Sequence, residues 1–328
     1  MKNNFFKFDI DAKVENLINN NPGMEGKRAL FLKKWRELRN QKLNIMITGA
    51  TGCGKSSTIN ALFNMDSATE TNDIAKVGVG STPETMDIVK YELGNMVLWD
   101  SPGLGDGKEA DNRHSRNIID KLLEYDENGK FLIDLVLVIL DGGSRDLGTS
   151  YELINKVIIP NLGNEKSKRI LVAINQADNA MKGHYWDREN NRPEQKLVDF
   201  LEEKCLSVRR RIKEGTGVDI EPIYYSAGYK EEGLPQERPY NLAKLLYFIL
   251  RHIPAEKRLT AMERVNSERE NFRENDSNYE RGIFDSVMEG IGSAFEAVGE
   301  IASNVVCSAV DTVKSVFSSV CNFFSSWF

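Results

Sequence analysis

The segment that most limits how this chain can fold is a glycine-rich loop at residues 49–56, GATGCGKS. It fits the pattern GxxxxGK[ST] and lies between an apolar stretch, LNIMIT, and a stretch that begins STINALF. In a strand–loop–helix unit of this kind, successive backbone N–H groups turn inward at the positive end of a helix dipole. The sequence therefore predicts an α/β domain with a phosphate-binding loop at the end of a strand.

The predicted phosphate-contacting residues are those of the loop and the first turn of the helix. They are Gly49, Ala50, Thr51, Gly52, Cys53, Gly54, Lys55, Ser56 and Ser57. Lys55 would reach the oxygens of the β- and γ-phosphates, and the Ser56 hydroxyl would be a ligand of Mg²⁺.

The remainder of the central region alternates between strand-length and helix-length patterns. Apolar runs of strand length occur at 43–48, 96–100, 135–140, 170–174 and 222–225, and residues 86–92 alternate as a half-buried strand would. Longer amphipathic segments lie between them, at about 55–63, 112–125, 149–160, 193–213 and 240–252. This order predicts a mostly parallel sheet with helices on both faces.

A second motif, DSPG at residues 100–103, follows the apolar run NMVLWD. A carboxylate at the end of a strand beside a phosphate loop can join the hydration shell of Mg²⁺, which makes Asp100 a candidate metal ligand. A glycine three residues later can offer its N–H to a γ-phosphate. We therefore expect Gly103 to begin a segment that responds to the nucleotide.

A third pair of motifs indicates which base is bound. Asn175, Gln176 and Asp178 follow the run RILVAI, and Ser226 with Ala227 follows EPIYY. A carboxylate at Asp178 can accept hydrogen bonds from the ring N–H and the amino group of guanine, a donor pair that adenine lacks. Asn175 would tie this loop to the phosphate loop, and a backbone N–H near Ala227 would face guanine O6.

In this order the motifs resemble the GTPases of the translation-factor-related class. The resemblance is to the Era-like and septin-like branch, most closely to bacterial ribosome-binding-type (MMR-related) GTPases, and it covers about residues 43–254. It implies a Ras-like P-loop fold with six strands, one of them antiparallel, with GTP or GDP and Mg²⁺ as ligands and GDP and phosphate as products. It assigns catalytic contacts to Lys55, Thr85 and Gly103.

The resemblance also requires a threonine before the second strand as a further Mg²⁺ ligand. Thr85 fits this role because Thr85-Met-Asp-Ile enters the expected strand, and Thr82 is the alternative. The metal ligands implied are then Ser56, Thr85 and Asp100. Residues 66–86 and 101–115 are expected to order with GTP and to relax with GDP.

Three departures from the family pattern bear on turnover. Gln176 replaces a lysine, Leu104 stands where a glutamine would orient water, and Gly52 replaces the asparagine of potassium-activated members. We expect slow intrinsic hydrolysis, about 10⁻⁴–10⁻² s⁻¹, raised by dimerisation or a partner. Other polar residues near the site are expected to be solvated and not catalytic. They are Asp106, Asp111, His114 and His184.

Charge is unevenly distributed around a net −6 over 328 residues. Residues 1–42 carry ten Lys and Arg against five Asp and Glu, so the other 286 residues sum to −11. This balance argues against an extensive nucleic-acid surface in the core. The four cysteines and three histidines show no metal-type spacing, and the cysteines show no disulfide framework. This use of cysteine is typical of a reducing compartment.

The sequence predicts four zones: a basic helical leader (1–42), the nucleotide domain (43–254), a charged helix or linker (255–282) and an amphipathic C-terminal helix (283–328). In the leader, Phe31, Trp35 and Leu38 share a helical face that we expect to dock on the domain. The linker is expected to be solvated. In the C-terminal zone, glycines at 290, 292 and 299 would allow close helix packing.

The expected function is a GTP-hydrolysing switch in the cytoplasm, with peripheral attachment to the inner face of a membrane as an alternative location. The C-terminal helix would fold back, self-associate or lie on a membrane surface. The longest uncharged run, 315–328, is short for a membrane span. A module that uses GTP only to control homodimer formation and a ribosome-assembly factor are the alternatives. No KH-type GXXG nucleic-acid module follows the nucleotide domain, which weakens the case for the ribosome-assembly factor.

Overall fold

The computed structural model describes residues 11–12, 14–16, 19–20, 26, 28–63, 65, 88–105, 107–229, 237–266, 268–272 and 277–296. Thr82 and Thr85, the expected switch segment 66–86, Asp106 and the end of the chain from residue 297 lie outside the described residues. Their predictions remain predictions.

Six strands form one sheet in the order β2-β3-β1-β4-β5-β8. Their bounds are β1 Leu43–Gly49, β2 Val89–Leu93, β3 Met96–Asp100, β4 Leu135–Asp141, β5 Ile170–Asn175 and β8 Ile223–Tyr224. Only the β2–β3 pairing in this sheet is antiparallel. A separate small hairpin consists of β6 Trp186–Asp187 and β7 Arg192–Pro193. The predicted six-stranded, mostly parallel sheet with one antiparallel strand is confirmed.

Helices cover both faces of the sheet, as the alternating pattern predicts. Their bounds are α1 Arg28–Arg39, α2 Lys55–Leu62, α3 Lys108–Leu122, α4 Gly148–Glu152, α5 Gln195–Thr216, α6 Leu242–His252, α7 Arg258–Met262 and α8 Ser277–Glu296. Helix α4 continues into a π-helical segment at Leu153–Ile158 and then a 3₁₀ turn at Ile159–Asn161. Helix α3 begins at Lys108, ahead of the predicted start at 112.

Strand β4 shows why two cores form. Leu135, Leu137 and Ile139 point into a cluster with α1, α2, α6, α7 and α8. The intervening residues, Val136 and Val138 among them, point into a second cluster with α3 and α5. Because strand side chains alternate between faces, a strand buried on both sides needs a continuous apolar run, which β4 has.

The first helix packs on the domain through the predicted face. Phe31, Trp35 and Leu38 are buried in the cluster that includes α8. The polar edge of Trp35 is also satisfied, since its indole N–H donates to Asp11 Oδ1 at 2.9 Å. The prediction that this face docks is confirmed.

The prediction that residues 255–281 are solvated is wrong for α7. All five residues of α7 are buried, and the charges that suggested solvent are paired instead. Lys257 donates to both oxygens of Asp134 at 2.7 and 2.8 Å, and Arg258 contacts Glu289 at 2.8 Å. Partners 123 and 31 residues away in the sequence offset the cost of burying these cations.

Helix α8 begins at Ser277, so the predicted change at residue 283 falls inside it. Gly290 of α8 packs against the backbone of Ala255, because a Cβ at position 290 would be 2.1 Å from the Ala255 carbonyl oxygen. Gly292 faces open space, contrary to the prediction of close packing, and Gly299 lies outside the described residues. In the described part of the chain, no helix is long and apolar enough to cross a membrane.

The two glycines give a matched test of how α8 docks. Gly290→Ala is expected to lower the free energy of unfolding by about 1–3 kcal/mol, since the new methyl group overlaps backbone. Gly292→Ala in the same helix is expected to raise it by about 0.5–1 kcal/mol through helix propensity. Urea unfolding of both variants measures the difference. Equal effects would show that α8 does not pack closely on residue 255.

Candidate functional site

The glycine-rich loop lies between β1 and α2, as predicted. Gly49 has φ +155°, and a Cβ there would be 2.2 Å from the Ile139 carbonyl oxygen. Gly54 has φ +89°, and its Cβ would be 2.3 Å from Asn175 Nδ2. Crowding at both positions therefore requires glycine. Lys55 lies over the loop, where its Nζ donates to the carbonyls of Gly49 and Ala50 at 3.3 and 3.4 Å.

Asp100 ends β3 beside the loop. Its strand pairs in parallel with β1, so Asp100 stands opposite Ile47, two residues before Gly49. The carboxyl group is about nine-tenths buried, and its Oδ1 has no hydrogen-bond partner in the part of the chain described. Burial raises the pKa of Asp100 to about 6, and the charge on Lys55 acts against that rise. A buried, unpaired carboxylate oxygen fits a site for a divalent cation with oxygen ligands.

This burial predicts a stability effect. The folded protein holds a proton on Asp100 between about pH 4 and pH 6, where the unfolded chain has released it, so stability falls as the pH rises through that window. Asp100→Asn is expected to raise the unfolding free energy of the nucleotide-free protein by about 3 kcal/mol at pH 7.5 and to leave it nearly unchanged at pH 4.

Urea unfolding at the two pH values measures this effect. Asp120→Asn, at an exposed position of α3, is the control and should change neither value. A gain of the same size at both pH values would show that the ionised carboxylate is not the source of the effect.

Gly103 lies directly against the loop. A Cβ there would be 2.2 Å from Thr51 Oγ1 and 2.8 Å from the Thr51 nitrogen. The next residue, Leu104, accepts a hydrogen bond from the Thr51 N–H at 3.1 Å, and its side chain is buried in the core. Leu104 therefore fixes the backbone of this segment and offers no polar side chain to orient water.

Asn175 joins the loop after β5 to the phosphate loop. Its Nδ2 donates to the Cys53 carbonyl at 2.9 Å, and its Oδ1 accepts the Ala227 N–H at 2.9 Å. Gln176, with φ 59°, donates to the Gly52 carbonyl at 2.8 Å. The predicted link through Asn175 is present, and Gln176 adds a second link to the same loop.

The residues predicted to select the base also come together. Ser226 Oγ donates to Asp178 Oδ1 at 2.5 Å, which holds the carboxylate in place. The N–H of Ala227 itself donates to Asn175, and the expectation that a backbone N–H near Ala227 faces guanine O6 stays a prediction. Behind the motif, the fully buried hydroxyl of Tyr225 lies 2.6 Å from Thr58 Oγ1, which donates to the Gly54 carbonyl.

A cleft of about 620 Å³ opens beside Asp178 and Ser226. Trp186 of the β6–β7 hairpin lines it and packs edge-on against Tyr240, with ring centres 5.3 Å apart. The neighbouring Tyr185 contacts Lys196 instead, whose Nζ donates to its hydroxyl at 2.8 Å. Of these two neighbouring aromatic residues, Trp186 is therefore the one positioned to contact a bound base.

His114 is the residue that the sequence placed wrongly. Its charged neighbours suggested the surface, whereas the ring is buried, with 2% exposed, and Nδ1 lies 3.2 Å from the Gly103 carbonyl. Asp111 also lies in α3 and not in a solvated loop, and its Oδ1 accepts the Gly105 N–H at 2.9 Å. His184 is exposed, as expected. The sequence feature that identifies His114 as a residue of the site is its position three residues after Asp111, on the face of α3 that turns toward the DSPG segment.

Cys53 lies inside the loop and is fully buried. Burial raises the pKa of its thiol to about 11, although Lys55 acts in the opposite direction. The thiol is therefore neutral near pH 7 and a poor nucleophile. Its contribution to the site is the backbone carbonyl that Asn175 bonds.

Comparison with known proteins matches residues 28–126 to the family model "Interferon-inducible GTPase (IIGP)". Among curated proteins, mouse Interferon-inducible GTPase 1 is 36% identical over 94 residues, covering 28% of this chain and 21% of that protein. Mouse Interferon-gamma-inducible GTPase 10 is 34% identical over 93 residues, covering 27% and 21%. The chain thus matches about a fifth of the length of these relatives. The family-model match includes the phosphate loop and DSPG but ends before the Asn175 loop.

Solved structures with a similar fold include Toc33 from Arabidopsis thaliana in complex with GDP and Mg²⁺. The TM-score is 0.42 at 15% identity, covering 77% of this chain and 94% of that one. The bacterial dynamin GTPase LeoA gives a TM-score of 0.38 at 13% identity, covering 91% of this chain and 46% of that one.

Proposed function

We propose that this chain binds GTP with Mg²⁺ and hydrolyses it slowly to GDP and phosphate. The observation that carries the proposal is the double hydrogen bond of Asn175, which joins the carbonyl of Cys53 to the N–H of Ala227. A single site then has a phosphate-binding end at Lys55 and a base-selecting end at Asp178. The GTPase family match over residues 28–126 supports the phosphate-binding end independently.

Each end has a distinct role in this proposal. Asp178, held by Ser226, accepts from the ring N–H and amino group of guanine and leaves adenine without a matching donor pair. The N–H groups of the phosphate loop and the Lys55 ammonium bind the phosphates and stabilise the charge of the loose transition state. Ser56 and Asp100 would hold Mg²⁺, which supplies positive charge to the phosphates.

Slow turnover follows from the DSPG segment. Leu104 lies in the position that would orient the attacking water, and its side chain is buried. Without a polar group there, positioning of water depends on residues that a second copy or another partner brings to the site. We propose that intrinsic hydrolysis is about 10⁻⁴–10⁻² s⁻¹ and rises on self-association.

Equilibrium binding and single-turnover phosphate release test these statements. The protein with Mg²⁺ should bind GTP and GDP and discriminate against ATP, and phosphate release should be slow at low protein concentration. A rate per molecule that increases with protein concentration would support self-association. Equal affinity for ATP and GTP, or a rate far above ~1 s⁻¹ in the dilute monomer, would overturn the respective part of the proposal.

The finer features of the switch belong to the same proposal. We assign the Mg²⁺-ligating threonine to Thr85 and output to the segments around it and after Gly103, from the motif order alone. Placement in the Era-like branch, and a ribosomal particle as partner, rest on the same resemblance. A cytoplasmic location and a contact of residues 283–328 with a membrane surface rest on sequence pattern. Deletion of 297–328 followed by vesicle flotation tests the last point.

A further inference from the structure

Helix α3 contacts the DSPG segment through two side chains on one face. His114 Nδ1 lies 3.2 Å from the Gly103 carbonyl oxygen, and Asp111 Oδ1 accepts the Gly105 N–H at 2.9 Å. A carbonyl oxygen can only accept, so the ring carries its proton on Nδ1 and donates it to Gly103. Residues three apart in a helix share a face, and α3 therefore holds the segment on both sides of Leu104.

Gly103 is the residue of this segment that most needs such support. The closeness of Thr51 excludes any side chain at position 103, and glycine has the widest backbone freedom of all residues. A glycine imposed by close packing therefore does not fix the direction of its own peptide groups. The hydrogen bond from His114 fixes the peptide group between Gly103 and Leu104, whose carbonyl it contacts, and so limits how Gly103 can turn.

Burying the polar ring of His114 costs free energy, and its hydrogen bond to Gly103 explains why a histidine lies at this position. The ring has 2% of its surface exposed, and its Nε2 has no partner in the described part of the chain. Its neighbours on the same face of α3, Ile118 and Leu122, are fully buried apolar residues. An apolar side chain at position 114 would continue that face without an unpaired nitrogen, but it could not hold the Gly103 carbonyl.

We propose that His114 is a positioning residue that orients Gly103 toward the γ-phosphate and thereby favours GTP over GDP. The inference rests on the proposed function, since it needs a nucleotide in the site. In that function Gly103 offers its N–H to the γ-phosphate, which GDP lacks, whereas Lys55 and the phosphate loop contact both nucleotides. Loss of the hold on Gly103 should therefore weaken binding of the triphosphate selectively.

Two variants of nearly equal size test the donor. His114→Asn keeps an N–H near the position of Nδ1, and His114→Leu has a similar shape without a donor. Dissociation constants are measured with Mg²⁺ for GDP and for a GTP analogue with a non-hydrolysable β–γ link. His114→Leu should weaken analogue binding about tenfold and change GDP binding less than about twofold. His114→Asn should stay within about threefold of the unaltered protein for both.

Several outcomes would overturn the inference. Equal weakening for GDP and the analogue in His114→Leu would assign His114 a structural role only. Equal behaviour of the Asn and Leu variants would show that the donated hydrogen bond is not responsible. If the unaltered protein binds neither nucleotide, the proposed function itself fails, which is a distinguishable result.

A second pair of variants covers the case in which His114→Leu does not fold, which thermal unfolding would show. Asp111→Ala removes the hold on Gly105, and Asp111→Asn keeps an oxygen acceptor there. The alanine variant should weaken analogue binding about threefold with GDP binding unchanged, and the asparagine variant should not. Unchanged analogue binding in Asp111→Ala, or equal loss for both nucleotides, would overturn the role of α3 in holding this segment.

Discussion

Replacement of Lys55 by methionine is expected to weaken GTP binding about 100-fold or more and to reduce single-turnover hydrolysis by about 10²–10³. Methionine keeps much of the length of the side chain and removes its charge. Among the residues that the structure describes, the hydrogen bonds of the Lys55 ammonium are long ones to the carbonyls of Gly49 and Ala50, at 3.3 and 3.4 Å. Its exchange for phosphate oxygens therefore costs little, and phosphates gain a strong charge-assisted interaction.

Lys55→Met should also change how the stability of the protein depends on pH. The Lys55 charge opposes the rise in the pKa of Asp100, so Lys55→Met should shift the pH dependence of stability to higher pH. Lys33→Met is the matched control, because the Lys33 side chain is 74% exposed on α1. It should leave both affinity and rate within about twofold. GTP affinity that is unchanged in Lys55→Met would show that the loop does not bind the phosphates.

Most of the domain could be predicted from the sequence because its signals are local. Strand β4 is a continuous apolar run up to its last residue, and β1 is apolar apart from Asn44 and Thr48, as a sheet covered on both faces requires. The glycines at 49 and 54 follow from the backbone geometry of the loop that connects such a strand to a helix. The motif residues Asn175, Asp178 and Ser226 meet because parallel strands β5 and β8 end at the same edge.

The errors concern polar residues whose partners are distant or face inward. Lys257 and Arg258 make their segment hydrophilic in sequence, which suggests that it is exposed to solvent. Their carboxylate partners lie far away in the chain and cannot be identified from a charge count. His114 lies among charged residues in sequence, but the helical period places it on the buried face of α3. The bond from the Ala227 N–H to Asn175 depends on the angle between two loops, so no local pattern predicts it. Local composition predicts burial poorly where a polar group is paired.

Replacement of Asp178 by asparagine is expected to change the preferred base. Guanine offers two donors at the edge that Asp178 contacts in the proposed function, whereas xanthine offers one donor and one carbonyl acceptor. An asparagine amide has one acceptor and one donor, so it complements xanthine and leaves the guanine amino group opposed to another N–H. GTP binding should weaken about 100-fold or more, and binding of xanthosine triphosphate should become the stronger of the two.

The geometry around Asp178 makes this exchange specific. Ser226 donates to Oδ1 at 2.5 Å, and the same bond to an asparagine oxygen would leave the amide N–H₂ where Oδ2 lies now. Competition binding with GTP, ATP and xanthosine triphosphate measures the change. Asp178→Ala, which removes both polar atoms, should weaken GTP binding without a gain for xanthosine triphosphate. Because the asparagine and alanine variants lose the same negative charge, a gain for xanthosine triphosphate in the asparagine variant alone reports pairing with the base. If both behave alike, Asp178 stabilises the loop and does not select the base.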